Sequence, residues 1–273
     1  MRLFLACCAV ALSTSAFAQS RALTEVSLGL GTHTDRIENI SLDWMRTYSL
    51  DDEIFNVDLD KYEYSPYSEL WAATLNVDFT FGGDQINSRG VSRELRVGTR
   101  MLFDREAMVS YDFEEAVDQG TYREHLVFCL VDNEIAGDAT VIWRKQGKRF
   151  SIYSGVGAVL GTTFNSELLR IRNAAMYTNE DIPELADVEE IESITESFAS
   201  KNSGFARVQV PVGVQVHAGP LAIGLELRLG AGAHTVYGGK SYFISSANSF
   251  AVRMSYFPFL RKDRLGNDRI ISH

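Results

Sequence analysis

Past its first 18 residues the chain holds one cysteine. Cys7 and Cys8 lie in the leading segment, so Cys129 is left alone and no internal disulfide is available. No apolar run of spanning length occurs beyond residue 18, which excludes helical membrane spans. Were the chain to enter a bilayer, a closed β-barrel is the remaining route, since only closed ladders satisfy the backbone away from water. Basic charge is scarce: 26 Lys and Arg stand against 36 Asp and Glu. A nucleic-acid partner needs a basic surface and is excluded on that ground. His33, His125 and His217 are scattered without metal-ligand spacing, so no metal and no cofactor is expected. GVGAVLG at 155–161 opens no helix and fails the context of a nucleotide loop. No G-x-S-x-G elbow occurs.

What is present begins with the leader. MRLFLACCAVALSTSAFAQS has Arg2, an apolar run from Leu3 to Leu12, and Ala16-Phe17-Ala18 before Gln19. It reads as a secretory signal peptide, residues 1–18. A lipoprotein reading through Leu5-Ala6-Cys7 leaves almost no apolar region before the cysteine. Without Arg2, 25 basic residues face 36 acidic ones, a net charge of −11. A mean hydropathy of −0.07 fits a soluble all-β protein. It fits equally an outer-membrane barrel, which averages a lipid face against a wet interior.

Alternation at period two dominates the rest. In GFARVQVPVGVQVHAGPLAIGLELRLGAGAH (204–234), Val208, Val210, Val212, Val214 and Val216 share one face, while Arg207, Gln209, Pro211, Gly213 and Gln215 share the other. After HAGP, Leu221, Ile223, Leu225, Leu227 and Leu229 oppose Gly224, Glu226 and Arg228. Eight such segments are predicted, near 23–32, 70–82, 93–104, 126–145 (with a bulge near Gly137), 149–163, 205–217, 220–234 and 248–259. NISLDWMRTYS (39–49) also has strand character. The links alternate long and short, the long ones near 33–69, 105–125, 164–204 and 235–247. Exported barrels pair short periplasmic turns with longer outer loops. Trp143, Phe150, Phe79, Phe81, Tyr256, Phe257 and Phe259 gather at the short-turn ends, where one aromatic girdle belongs.

The leader, the eight dyad strands and the loop alternation resemble the small outer-membrane β-barrel proteins of Gram-negative bacteria, the OmpA/OmpX-type group. The resemblance spans most of residues 20–260 and is one of pattern. It implies an all-β fold: an eight-stranded antiparallel up-and-down transmembrane barrel over 19–260, with a polar tail over 261–273. It also implies residence in the outer membrane, contact with outer-membrane lipid and lipopolysaccharide, and handling by the barrel-assembly machinery. Members commonly end at the last strand on an aromatic residue; here LRKDRLGNDRIISH follows Phe259.

The expected sites follow from parity. Asp78, Glu94, Arg96, Arg100, Arg207, Glu226, Arg228 and Arg253 point inward and form a lumen charge network, since eight strands leave an interior that side chains just fill. Between Arg172 and Lys201 stand eight acids and no base: Glu180, Asp181, Glu184, Asp187, Glu189, Glu190, Glu192 and Glu196. Ile182, Leu185, Val188, Ile191, Ile194 and Phe198 recur at helical spacing, with Asp181 as cap and Glu184 closing a capping box, so a short acidic helix is predicted in this outer loop. It is a candidate surface for a protein or surface ligand, or for cations beside lipopolysaccharide. The expected function is structural or adhesive rather than enzymatic. The alternatives are a narrow gated transporter or a secretion or envelope-assembly component. A lipid-modifying enzyme built on His234 with Ser241, Ser245 or Ser246 is a third reading.

Overall fold

The computed structural model describes residues 23–37, 40–65, 69–82, 90–118, 120–147, 149–178, 187–239, 242–258, 260–262 and 268–270. The leader and Phe259 lie outside them. The strands are β1 (Leu23–Ile37), β2 (Glu63–Ser65), β3 (Glu69–Gly82), β4 (Val91–Val117), β5 (Gly120–Gln146), β6 (Phe150–Thr178), β7 (Asp187–Ala199), β8 (Ser203–Ala218), β9 (Leu221–Val236) and β10 (Tyr242–Tyr256). One short helix, α1 (Leu42–Arg46), follows β1. A small ladder, β11 (Leu260–Lys262) with β12 (Asp268–Ile270), lies in the tail.

Eight strands close a ring. β1 pairs with β3, β3 with β4, β4 with β5, β5 with β6, β6 with β8, β8 with β9, β9 with β10, and β10 returns to β1, all antiparallel. The fold is an eight-stranded antiparallel up-and-down barrel. Outward residues alternate with inward ones, as the dyad pattern requires. Leu225, Leu227, Val212, Val214 and Val252 are exposed on the outside, while Glu226, Arg228, Gln215 and Arg253 are buried inside. Aromatic side chains mark both ends of this apolar belt: Phe79, Trp143, Phe150 and Tyr256 toward the short turns, Trp71, Phe103, Tyr237 and Tyr242 toward the other end. From Trp71 to Phe79 the strand runs about 26 Å at ~3.3 Å per residue. Phe257 departs from the expected girdle. It is buried, packs on His217 at 5.2 Å between ring centroids, and lies under Arg144, so it closes the short-turn end.

The predicted loops are largely sheet. β4 and β5 continue past the barrel rim as a hairpin pairing Glu106–Val117 with Gly120–Val131. β6 follows them, β7 adds along β6, and β2 adds along β4. A five-stranded sheet, β2-β4-β5-β6-β7, therefore projects beyond the rim. A bulge on β4 marks the transition from wall to projection, shifting its register with β5 between Leu102 and Arg105 and with β3 between Trp71 and Ala73; on the β5–β6 ladder the register shifts between Val131 and Asn133. Asp104 and Asn165 take φ of 51° there, a left-handed geometry that Asp and Asn tolerate better than most residues. Gly137, the expected bulge, stays in register with Thr99 and Leu160.

Two further corrections concern helix and strand. The described part of the 39–49 segment, residues 40–49, carries a helix in place of a strand: Ser41 caps α1, its hydroxyl accepting from the Trp44 N–H at 3.2 Å, and Trp44 and Met45 are buried. Residues 187–199, expected as helix, form β7. The proposed cap Asp181 and the first part of that segment lie outside the described residues. The outer loop that carries a helix is the first one.

Residues 40–62 fold across the barrel mouth and onto one face of the projecting sheet. Ile40, Trp44, Met45, Tyr48, Ile54 and Phe55 join Ile37, Leu70, Val109, Leu126, Phe128, Leu168 and Val236 in one buried cluster. The main apolar cluster is thus this cap; the barrel interior is polar apart from a small cluster of Ala136, Val159 and Phe205.

Candidate functional site

The lumen side chains form three tiers of ion pairs. At the rim, Arg105 grips Asp132 through Nε and Nη2 at 2.8 and 2.7 Å and reaches Asp35 at 3.2 Å. Arg207 pairs with Asp35 at 2.7 Å and Glu134 at 3.1 Å, and Arg100 pairs with Glu134 at 2.9 Å. In the middle, Glu226 accepts from Arg96 (2.5 Å), Arg228 (2.6 Å), Arg253 (2.9 Å) and the Tyr153 hydroxyl (2.7 Å). Asp78 accepts from Arg228 and Arg253, and Asp138 from Arg228. Nearest the short turns, Arg144 bridges Glu94 (3.0 Å) and Glu25, and donates to Gln215. All eight residues of the expected lumen set are buried here.

The sequence reading missed Glu25, Asp35, Arg105, Asp132, Glu134, Asp138 and Arg144. Glu134, Asp138 and Arg144 keep one parity along β5 and were legible once Gly137 is kept in register. Asp35 and Arg105 lie past the expected strand ends, across the rim. Together, seven arginines and eight carboxylates of opposite sign fill the interior and its rim. The void among His33, Arg100, Arg207, Gln209 and Arg228 has a volume of about 10 Å³. That is room for roughly one water molecule, not a column of them.

His234 and Ser245 do meet: Nε2 lies 3.0 Å from the hydroxyl. Both are buried in the lumen, and Arg207 Nη2 stands 3.2 Å from the same nitrogen. Ser246 faces outward, and Ser241 lies outside the described residues. Cys129 is buried in the projecting sheet; burial, with Glu106 nearby, pushes its thiol up to about 12, which leaves little thiolate at neutral pH.

The acidic segment is distributed rather than clustered. Glu192 and Glu196 are tied to Arg172 at 3.2 Å and Arg170 at 2.6 Å on β6. Glu189 and Glu190 are exposed, as are Val188, Ile191 and Ile194. The Asp187 backbone belongs to β7, and Glu180, Asp181 and Glu184 lie outside the described residues.

A different acid holds the cap. Glu124, buried on β5, accepts from Lys61 at 2.9 Å, from the Tyr62 hydroxyl and from Arg172. Burial alone would raise its carboxyl, but the hydrogen bonds from Arg172, Tyr62 and Lys61 overcome this and hold it at about 2. Arg170 donates to the Ile54 carbonyl at 3.0 Å, and the Lys201 N–H donates to the Tyr48 carbonyl at 2.7 Å. On the opposite face, near the sheet tip, a groove of about 640 Å³ is lined by Asp112, Glu114, Arg123, His125, Asn173 and Tyr177 among others. Arg123 pairs with Glu114 at 3.0 Å and stacks over Tyr177, and His125 Nδ1 lies 2.5 Å from Asp112.

No protein-family model matches the chain, and no curated protein sequence does. Among solved structures, the attachment invasion locus protein Ail of Yersinia pestis is similar: in its complex with the heparin analogue sucrose octasulfate it is 15% identical, with 86% of this chain and 100% of that one covered, at a TM-score of 0.29. Neisserial surface protein A is 9% identical over 85% of this chain and 96% of that one, at a TM-score of 0.30. At such scores the likeness adds nothing to the closed register, from which the barrel follows directly.

Proposed function

We propose that this is an exported outer-membrane barrel whose projecting sheet is a surface-recognition element, with no transport through the lumen and no catalysis. The apolar belt between two aromatic rings supports a lipid-facing wall, contacting outer-membrane lipid and lipopolysaccharide. The short turns then face the periplasm and the capped sheet faces outward. Folding into the membrane would need the barrel-assembly machinery.

The observation that carries the recognition role is the sheet itself. Twelve residue pairs of the β4–β5 hairpin continue beyond the rim, about 40 Å at ~3.3 Å per residue. Barrel closure does not need them. A rigid platform presents side chains at lower entropic cost than a mobile loop does. Glu189 and Glu190 are exposed on it beside the Asp112–His125 and Glu114–Arg123 pairs, so a neutral or cationic ligand fits better than a sulfated one.

The test is retention of cells displaying the protein on an array of host glycoproteins and bacterial polysaccharides. The E189K/E190K/I191S variant changes exposed residues of β7 and leaves the barrel ladder alone. It should lose most retention while keeping heat-modifiable mobility. Undiminished retention would overturn the role assigned to the sheet.

A further inference from the structure

The β6–β8 ladder has a gap. Pairing runs from Phe150/Val216 to Ser154/Val212 and resumes at Gly157/Gln209. Gly155, Val156, Val210 and Pro211 are unpaired across this seam. Pro211 explains it, since proline has no N–H to give to a neighbouring strand. Behind the seam the wall is closed from inside: a Cβ on Gly213 would stand 2.2 Å from the Tyr153 ring, so only glycine lets that ring press against the strand. On the outside, beside the seam, lies a groove of about 670 Å³. Its lining includes Trp143, Ile152, Val212, Val214, Leu227 and Phe250, with the Ser154 hydroxyl the polar group at the seam and Lys145 toward the short turns. Lys145 makes no ion pair among the described residues, and Arg93 and Arg149 are exposed on the same rim.

We propose that this groove is a binding site for one anionic glycerophospholipid of the leaflet on the short-turn side, with an acyl chain in the groove and the phosphate on Lys145. The proposal rests on the lipid-facing reading of the belt. The occupant follows from placement. A groove this apolar, inside the belt, meets hydrocarbon before anything else, and a strand end carrying Lys145 beside Arg93 and Arg149 attracts a negative headgroup. Lipopolysaccharide would lie at the opposite end of the barrel.

The chain's three tryptophans provide the test. Trp143 lines the groove, Trp71 marks the far end of the belt, and Trp44 is buried in the cap as a constant background. The full chain is reconstituted in phosphatidylcholine vesicles doped with acyl-brominated phosphatidylglycerol or acyl-brominated phosphatidylcholine. In W71F, Trp143 should be quenched by the brominated anionic lipid with about fivefold higher apparent affinity than by the zwitterionic one, the factor that one basic group near an anionic surface provides. K145Q should cut the preference to the weaker pull of Arg93 and Arg149, and V212F should fill the groove and weaken quenching of Trp143 by both lipids. In W143F, Trp71 should show no preference. Equal quenching of Trp143 by both lipids, or a preference undiminished in K145Q, would overturn the proposal and leave the lipid-facing belt intact. If neither Trp71 nor Trp143 is quenched by either lipid, the belt itself is refuted, and the site with it.

Discussion

Glu226 is the residue on which the lumen turns. It takes three guanidinium groups and a phenol at once, and every partner is buried. Removing one partner of a buried network leaves the others desolvated and unpaired, which costs about 3–5 kcal/mol. E226Q, measured by urea unfolding in lipid vesicles, should lower the unfolding free energy by that order; an unchanged value would show that the arginines find other acceptors. Gly213 matters for a steric reason. G213V should destabilise by roughly 1–3 kcal/mol, because the Tyr153 ring it would strike is held by Glu226 and cannot swing aside. The same unfolding measurement reads this loss, and an unaltered G213V would mean that the ring has room to move.

Elements break where the pattern of residues breaks. The eight barrel strands were legible because each keeps strict alternation between rim and short turn. The projecting sheet was not. At Asp104 and Asn165 a bulge resets parity, so the alternation ends and the strand does not. β7 was misread as helix for the same reason. Its pairing with β6 shifts between Ala174 and Ala175, placing Glu192 and Glu190 opposite them and leaving Ile191 over. Val188, Ile191 and Ile194 then fall at intervals of three, which a helix would also produce. The lumen acids and arginines were legible where the inner face of a strand was read. Glu25, Asp132, Glu134, Asp138 and Arg144 were missed inside expected strands whose inner face was not read out, and Asp35 and Arg105 past the strand ends.

The cap is the element that titrates. The Glu124 carboxyl is depressed from its ordinary 4.5 to about 2, so its contribution is full above about 4.5 and is lost as pH falls through about 2. Hydrogen exchange of residues 40–62 should stay slow at neutral pH and accelerate as the pH is lowered from about 4.5 toward 2. E124Q should exchange faster at pH 7 and lose most of that pH dependence. A cap whose exchange in E124Q matches the parent at every pH would show that the apolar cluster alone holds it.

At the scale of the whole molecule, the architecture is inverted relative to a soluble domain. Charge is inside, apolar surface is outside, and the larger of the two buried apolar clusters among the described residues lies in the cap above the rim. The void of about 10 Å³ among His33, Arg100, Arg207, Gln209 and Arg228 holds roughly one water, and in the proposed reading the charge-paired lumen passes no ion. Purified protein in planar bilayers should therefore add no conductance to the bare membrane, and steady current steps altered by E226Q would contradict this. The measurement closest to the central claim is electrophoretic mobility of the outer-membrane fraction, unboiled against boiled. A closed lipid-facing barrel resists dodecyl sulfate until heated, so the band should be found in that fraction and should shift on boiling. A protein recovered from the soluble periplasm, migrating identically before and after boiling, would contradict the account.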